Sequence, residues 1–285
     1  MTKQLSTKIQ SYPGQSELAA KFLILALVYF VCGRLGLAIP YEGSHITLIW
    51  LPTGIAVAAL LRWGYICWPG IFLGALATNF SIDASPLLDS SIALGNTLAP
   101  LFTAWLLRRL KFHVALDRAY DILLLVVAAA IGMLASSGGG VASLMLFKVL
   151  PMQDAGAAWL SWWAGDFVGV LLAAPLLLNI SRAELKKLWV QQVEFLAWCL
   201  TTIVISWVAF FHSSSEISYS HQLAFVVLPT VVWAAMRFGV MGSSLAVLLP
   251  VLIAALATER GRGRFIPRTP SAVCSSCGCF ISRWC

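Results

Sequence analysis

The chain has 285 residues, 60% of them hydrophobic and only 11% charged, against roughly 45–50% apolar and 25% charged in soluble domains, and its mean hydropathy is +0.86. A water-soluble fold of this length has no interior large enough for that apolar surface, and no polar stretch is long enough to build a core of its own. The net charge of +7 would point to nucleic acid in a soluble protein, but the basic residues fall in short loops between apolar runs, which excludes nucleic acid and makes those loops topology signals.

A helix needs about 20 apolar residues to cross a hydrocarbon core ~30 Å thick. On that criterion nine spans are predicted, at residues 18–40, 46–62, 66–82, 88–109, 120–147, 157–180, 192–212, 221–236 and 240–257. The third, eighth and ninth are short, and spans 2–3 and 8–9 each suit a tight hairpin or a re-entrant pair. Alternating strands are absent, so a β-barrel is not expected. The predicted fold is all-α, a polytopic transmembrane bundle of about eight or nine helices. Residues 1–17 read as a cytoplasmic N-terminal segment, with the first helix retained as a signal anchor, and residues 18–258 as one integral membrane domain.

Orientation follows from the Lys and Arg residues, which favour cytoplasmic loops. With the N-terminus inside, the inner segments hold Lys3, Lys8, Lys21, Arg62, Arg108, Arg109, Lys111, Arg118, Arg182, Lys186, Lys187 and Arg237, and the outer loops hold only Lys148. The link carrying Arg182, Glu184, Lys186 and Lys187 is amphipathic and suited to anionic headgroups. A weak internal echo runs through the chain. Leu51-Pro52-Thr53 followed by Arg62-Trp63-Gly64 matches Leu228-Pro229-Thr230 followed by Arg237-Phe238-Gly239. It fits a parallel repeat, or simply Pro opening helices and Arg with Gly closing them.

Polar groups inside the membrane are costly unless paired, which makes each a site candidate. Arg34, Asn79, Asn96 and Asp166 stand out. At 1.5 Å per residue, Arg34, Asn96 and Asp166 fall about 9, 12 and 14 Å below the outer ends of their spans, with Asn79 nearer the surface. An Arg34–Asp166 ion pair in a cavity open to the outside is expected, walled by Trp50, Trp162 and Trp163. The plainer alternative is interhelical hydrogen bonding, with the Trp residues in the interfacial belt. Gly138-Gly139-Gly140 either breaks span 5 or permits a close helix contact, and Gly165 and Gly169 flank Asp166 with small-residue spacing. His45, His113, His212 and His221 lie in loops or at helix ends without i, i+4 pairing, so no metal site is expected among them.

The tail, residues 259–285, changes abruptly to Arg, Ser and Cys, with Cys274, Cys277, Cys279 and Cys285 close together. C-x2-C is a zinc-type spacing, but the loops it would close are too short for a four-cysteine site. Lipidation and disulfides are further alternatives. Five arginines on the outer side would break the charge rule, so a frame-shifted or truncated reading frame is the expected explanation.

Three segments carry a family resemblance. Residues 48–79 read L-I-W-L-P-T-G-I-A-V-A-A-L-L-R-W-G-Y-I-C-W-P-G-I-F-L-G-A-L-A-T-N, residues 159–178 read W-L-S-W-W-A-G-D-F-V-G-V-L-L-A-A-P-L-L-L, and residues 229–239 read P-T-V-V-W-A-A-M-R-F-G. In this order they resemble the MASE1 family, the membrane-associated sensor domain of bacterial signalling proteins, over roughly residues 18–258. The resemblance implies eight to ten membrane helices and a sensory input role ahead of diguanylate cyclase, phosphodiesterase or histidine kinase domains, hence cyclic di-GMP signalling. No GGDEF or EAL string, phospho-acceptor His region or ATP-binding glycine box appears, so no catalysis is expected.

The expected function is therefore an integral sensory input module of the bacterial inner membrane, with ligand-sensing candidates Arg34, Asn79, Asn96, Asp166, Trp163 and Trp50. The partners expected are the lipid bilayer, a small ligand, a cytoplasmic effector and, in a homodimer, a second copy of the chain. No cofactor is expected. A small transporter or transporter subunit is the alternative.

Overall fold

The computed structural model describes residues 15–38, 49–82, 85–211 and 222–259, which are almost wholly helical and contain no strand. The first 14 residues, His45, His212, His221 and the tail beyond Glu259 lie outside the described residues, and with them the zinc, disulfide, lipidation and reading-frame accounts of the tail. Nine helices follow in chain order among the described residues: α1 Gln15–Leu37, α2 Leu51–Trp63, α3 Trp68–Phe80, α4 Pro86–Arg109, α5 Ala119–Leu146, α6 Ala155–Asn179, α7 Arg182–Val190, α8 Gln192–Phe211 and α9 Leu228–Glu259. Five helices are long and apolar enough to cross a membrane, and a sixth apolar stretch, Phe225–Ala257, is interrupted at Gly239. The protein is a multi-pass helical membrane bundle.

The short helices have local causes. Span 2 was expected from residue 46, yet the helix begins at Leu51 with Trp50 as its cap. Pro52 sits in the first turn, where its missing N–H costs nothing. Thirteen residues make α2 about 20 Å long, so it traverses little more than half of the hydrocarbon core. It ends at Gly64, whose φ of 95° is open to glycine at no steric cost. The chain turns back there through a 3₁₀ turn, Tyr65–Cys67, into α3.

The same device recurs in α9, which is broken at Gly239 (φ 64°, ψ −150°). A Cβ on Gly242 would lie 3.0 Å from the carbonyl oxygen of Ala234, although residues eight apart stand about 12 Å apart along an unbroken helix. The chain therefore reverses, and Ala257 returns to pack with Val227 and Phe210. Residues 228–238 and 240–259 are thus the expected eighth and ninth spans. Both copies of the Leu-Pro-Thr and Arg-aromatic-Gly echo share one backbone course, a helix opened by Pro and reversed at a positive-φ glycine. That agrees with a parallel repeat.

Small residues bring the helices together. The central cluster sets Ala99 of α4, Ala128 and Ala129 of α5 and Ala174 of α6 against Val57, Met133 and Val170, as expected where association depends on close packing rather than on expelling water. Gly54 of α2 faces the carbonyl of Gly169, and the backbone of Trp50 rests directly on Gly169. The outward face is apolar: Leu23 and Leu27 of α1 are 69% and 62% exposed, and Leu196, Leu200 and Val204 continue such a stripe on α8. At the helical spacing of four these residues share one face, which meets lipid.

One end of the bundle is basic. Arg62, in the last turn of α2, donates to the carbonyls of Leu177 (2.6 Å) and Ile180 (2.8 Å) at the end of α6. Arg108 donates to Leu60 O (2.7 Å) and lies over the Tyr65 ring. Arg237 pairs with Glu194 at 2.6 Å, where α8 starts. Each Arg satisfies groups at helix ends and fixes which ends lie together.

Candidate functional site

The site forms where α2 begins inside the bundle. Asp166 stands eleven residues after the start of α6 and thirteen before its end, about 17 and 20 Å along the axis, so its carboxylate lies near mid-depth. It is fully buried. Gly165 and Gly169, on either side of it, allow the chain entering α2 to approach: Trp50 N donates to Gly165 O at 3.0 Å, and a side chain at 169 would collide with the Trp50 carbonyl. The first turn of α2 is thereby pinned beside Asp166, and the Thr53 hydroxyl donates to Asp166 Oδ1. The positive end of the α2 dipole favours negative charge at this place.

Further polar groups converge from α1, α4 and α5. The Ser136 hydroxyl and the Trp162 indole stand beside the Asp166 carboxylate, and Ser136 donates to Asn96 Oδ1 at 2.9 Å. Tyr29 of α1 is fully buried, interacts electrostatically with Asp166 and lies next to the Trp50 indole. Among the described residues, Asp166 Oδ2, Tyr29 Oη and Trp50 Nε1 make no hydrogen bond of good geometry, although the Trp50 N–H stands within reach of the Tyr29 oxygen. An unmet buried polar atom costs about 1–3 kcal/mol. Three together, one on each of three facing segments, form a buried polar cluster at the centre of the bundle, here termed the chamber.

Of the candidates read from the sequence, the chamber gathers Asp166, Trp50 and Asn96. The expected Arg34–Asp166 ion pair is not formed. Arg34 donates to Ser81 Oγ (2.6 Å) and Ser81 O (3.3 Å) at the end of α3. Arg34 follows Tyr29 by five residues, about 140° around a helix with 3.6 residues per turn, so when Tyr29 faces Asp166, Arg34 faces away. Asn79 is buried but donates to Ala75 O of its own helix (2.8 Å). Trp163 is also elsewhere: it donates to Ala130 O of α5 (2.8 Å) and stacks between Trp159 and Phe167. Its neighbour Trp162 is the one that shares a face with Asp166, four residues on.

The glycine run does not break its helix. Gly140 lies under the Trp162 ring, and α5 is continuous from Ala119 to Leu146. Tyr29 and Thr53 escaped the sequence reading; the available signal was a phenol and a hydroxyl at mid-helix, opposite the carboxylate. At the basic end, His113, Asp117 and Asp121 bring ligand atoms within 4.8 Å of one another. The i, i+4 partner of His113 is thus an Asp rather than a second His. These groups already serve the loop: His113 Nδ1 pairs with Asp117 (3.2 Å), holding its carboxyl below the usual range, and Asp121 accepts the His113 backbone N–H (2.9 Å).

Fold and site together define a multi-pass helical membrane protein with a buried polar cluster near mid-depth. The chain belongs to the MASE1 family, whose model matches residues 22–269. It is 27% identical over 244 residues to the probable diguanylate cyclase DgcE of Escherichia coli (strain K12), covering 81% of this chain and 20% of that protein. The chain thus spans about a fifth of the length of that relative. No solved structure matches it.

Proposed function

We propose that the chain is the input module of a bacterial signalling protein, set in the inner membrane with its N-terminus in the cytoplasm, and that it binds a small ligand in the mid-depth chamber and passes the event to a cytoplasmic effector. It carries out no catalysis itself. Family membership and cyclic di-GMP signalling in the relative support the role. The orientation rests on the basic end, since Lys and Arg favour cytoplasmic loops.

The observation that carries the proposal is the double fastening of α2 to α6. At mid-depth Thr53 holds Asp166, and at the basic end Arg62 holds the last carbonyls of α6. Nine residues, about 14 Å of helix, separate the two points on α2. An occupant that displaces the first fastening must shift or tilt α2 against the second, which delivers movement to the cytoplasmic face. The test is a graft of residues 22–269 in place of the matching region of the relative, with cyclic di-GMP production as readout. Production that changes with periplasmic or membrane conditions, and stops changing in Asp166→Asn, supports the proposal; constant production in all conditions breaks it. Reporter fusions at Phe112 and Leu185 test the orientation, with cytoplasmic activity expected at both.

A transporter is favoured by one observation, the repeated Pro-opened helix reversed at glycine, since internal repeats with half-length helices are common in transporter folds. Saturable flux through reconstituted protein would establish it, and binding without flux would leave the sensory reading standing.

A further inference from the structure

The chamber also specifies what it holds. Among the described residues, no cationic side chain pairs with Asp166. The described ion pairs are Lys21–Glu17, His113–Asp117 and Arg237–Glu194. Arg34 is engaged by Ser81, Arg62 by the end of α6 and Arg108 by the end of α2. The positive contributions facing the carboxylate are the hydroxyl of Thr53, the groups of Ser136 and Trp162, and the N-terminus of α2, equivalent to about half a unit charge. A buried charge without a full counter-charge is expensive at membrane depth.

Two of the unmet atoms have a matching chemistry: Asp166 Oδ2 and the Tyr29 hydroxyl oxygen can both accept or coordinate, while the Trp50 and Trp162 N–H groups are donors turned toward Tyr29 and Asp166. The packing restricts size. Gly140 lies beneath Trp162, Gly169 beneath the Trp50 backbone and Gly54 against Gly169, so the helices around the chamber are already in contact.

We infer that Asp166 and Tyr29 form a binding site for a small monovalent cation, either an alkali ion such as sodium or a protonated amine no larger than methylammonium. The cation supplies the missing charge and takes Asp166 Oδ2 and Tyr29 Oη as ligands. This inference rests on the chamber being the sensory site and gives the ligand its chemical class.

The experiment uses the full chain in lipid nanodiscs. Its thermal unfolding midpoint is measured in sodium chloride, potassium chloride, methylammonium chloride and, as the bulky control, N-methylglucamine chloride, all at equal ionic strength. A rise of about 2–4 °C over the control is expected for at least one small cation, and the salt that produces it separates the alkali from the amine source. The rise should vanish in Asp166→Asn and shrink in Tyr29→Phe. Where Asp166→Asn fails to fold, Tyr29→Phe decides. Equal midpoints in all salts, or a rise unchanged in the foldable variants, overturns the inference. So does a carboxylic-acid C=O infrared band, absent from Asp166→Asn or sensitive to Tyr29→Phe, that persists in saturating salt, because the occupant would then be a covalently bound proton. Grafting separates the two claims. Cation binding without any change in cyclic di-GMP production sinks the sensory reading and leaves the site. A cue-dependent output indifferent to every small cation sinks the site and leaves the sensory reading.

Discussion

The two copies of the repeat make an instructive pair. Each opens with Leu-Pro-Thr, runs as a short helix and reverses at an Arg-aromatic-Gly turn with a positive-φ glycine. In the first copy the Thr53 hydroxyl reaches across to a buried carboxylate on α6, and Arg62 reaches across to carbonyls. In the second, the Thr230 hydroxyl donates to Val227 O of its own turn, while its carbonyl accepts the Trp198 indole, and Phe195, Trp198 and Phe238 pack around it. One scaffold therefore serves two ends. The first copy brings polarity into the membrane, and the second closes the bundle with aromatic packing. The proposed binding belongs with the first.

This contrast can be tested, beginning with the largest effect. Gly169→Ala should lower the stability of the folded bundle by about 3 kcal/mol, the upper range for overpacking, because the added methyl meets the Trp50 carbonyl; thermal unfolding in detergent would show it. Thr53→Val should cost about 2 kcal/mol, because it removes a hydrogen bond to a buried carboxylate, whereas Thr230→Val should cost about 1 kcal/mol, the value of a neutral bond. Equal costs would mean that the two copies are not functionally distinct. Asp166→Asn should reduce cue-dependent output of the grafted cyclase by about tenfold, within the usual range of coupling between sites, with little loss of helix content by circular dichroism. Finally, Gly64→Ala and Gly239→Ala should each cost about 1–3 kcal/mol from the backbone alone, because both combine a positive φ with an extended ψ, a region essentially reserved for glycine, while neither position has an atom within 4 Å of an added Cβ. A clear inequality between them would show that the two turns are not equivalent.

Much of the architecture was legible in the sequence because lipid imposes long apolar runs and loops sort their charges. The helix order, the basic end and the paired short spans about Gly64 and Gly239 follow from that, although α2 and α3, at 13 residues each, are shorter than a full crossing. The site was legible only in depth. Asn96 and Asp166 meet through Ser136, whereas Arg34 lies in the last turn of α1 beside the end of α3, and beyond depth the azimuth has to be known. Arg34 stands about 140° around α1 from Tyr29, and Trp163 is rotated by about 100° from Trp162. In an apolar helix, hydrophobic contrast between faces is weak, so periodicity does not reveal which face is inward. Tyr29 is fully buried amid such a run and gives no more signal than any interfacial Tyr. Asp166 and Asn96 were found because a polar group inside an apolar span is costly and stands out, and Trp50 as an aromatic wall beside them.

The Trp159–Trp163–Phe167 column has a practical use. Its rings lie 6.5 and 5.3 Å apart and nearly parallel, with interplanar angles of 7° and 3°, and Trp163 is tied to α5 through Ala130. Two parallel indoles at that spacing couple their electronic transitions, so the column should give a near-ultraviolet dichroic signature set by the seam between α5 and α6. The protein thus carries an intrinsic optical gauge one residue away from Trp162, through which rearrangement around the carboxylate can be followed without a label.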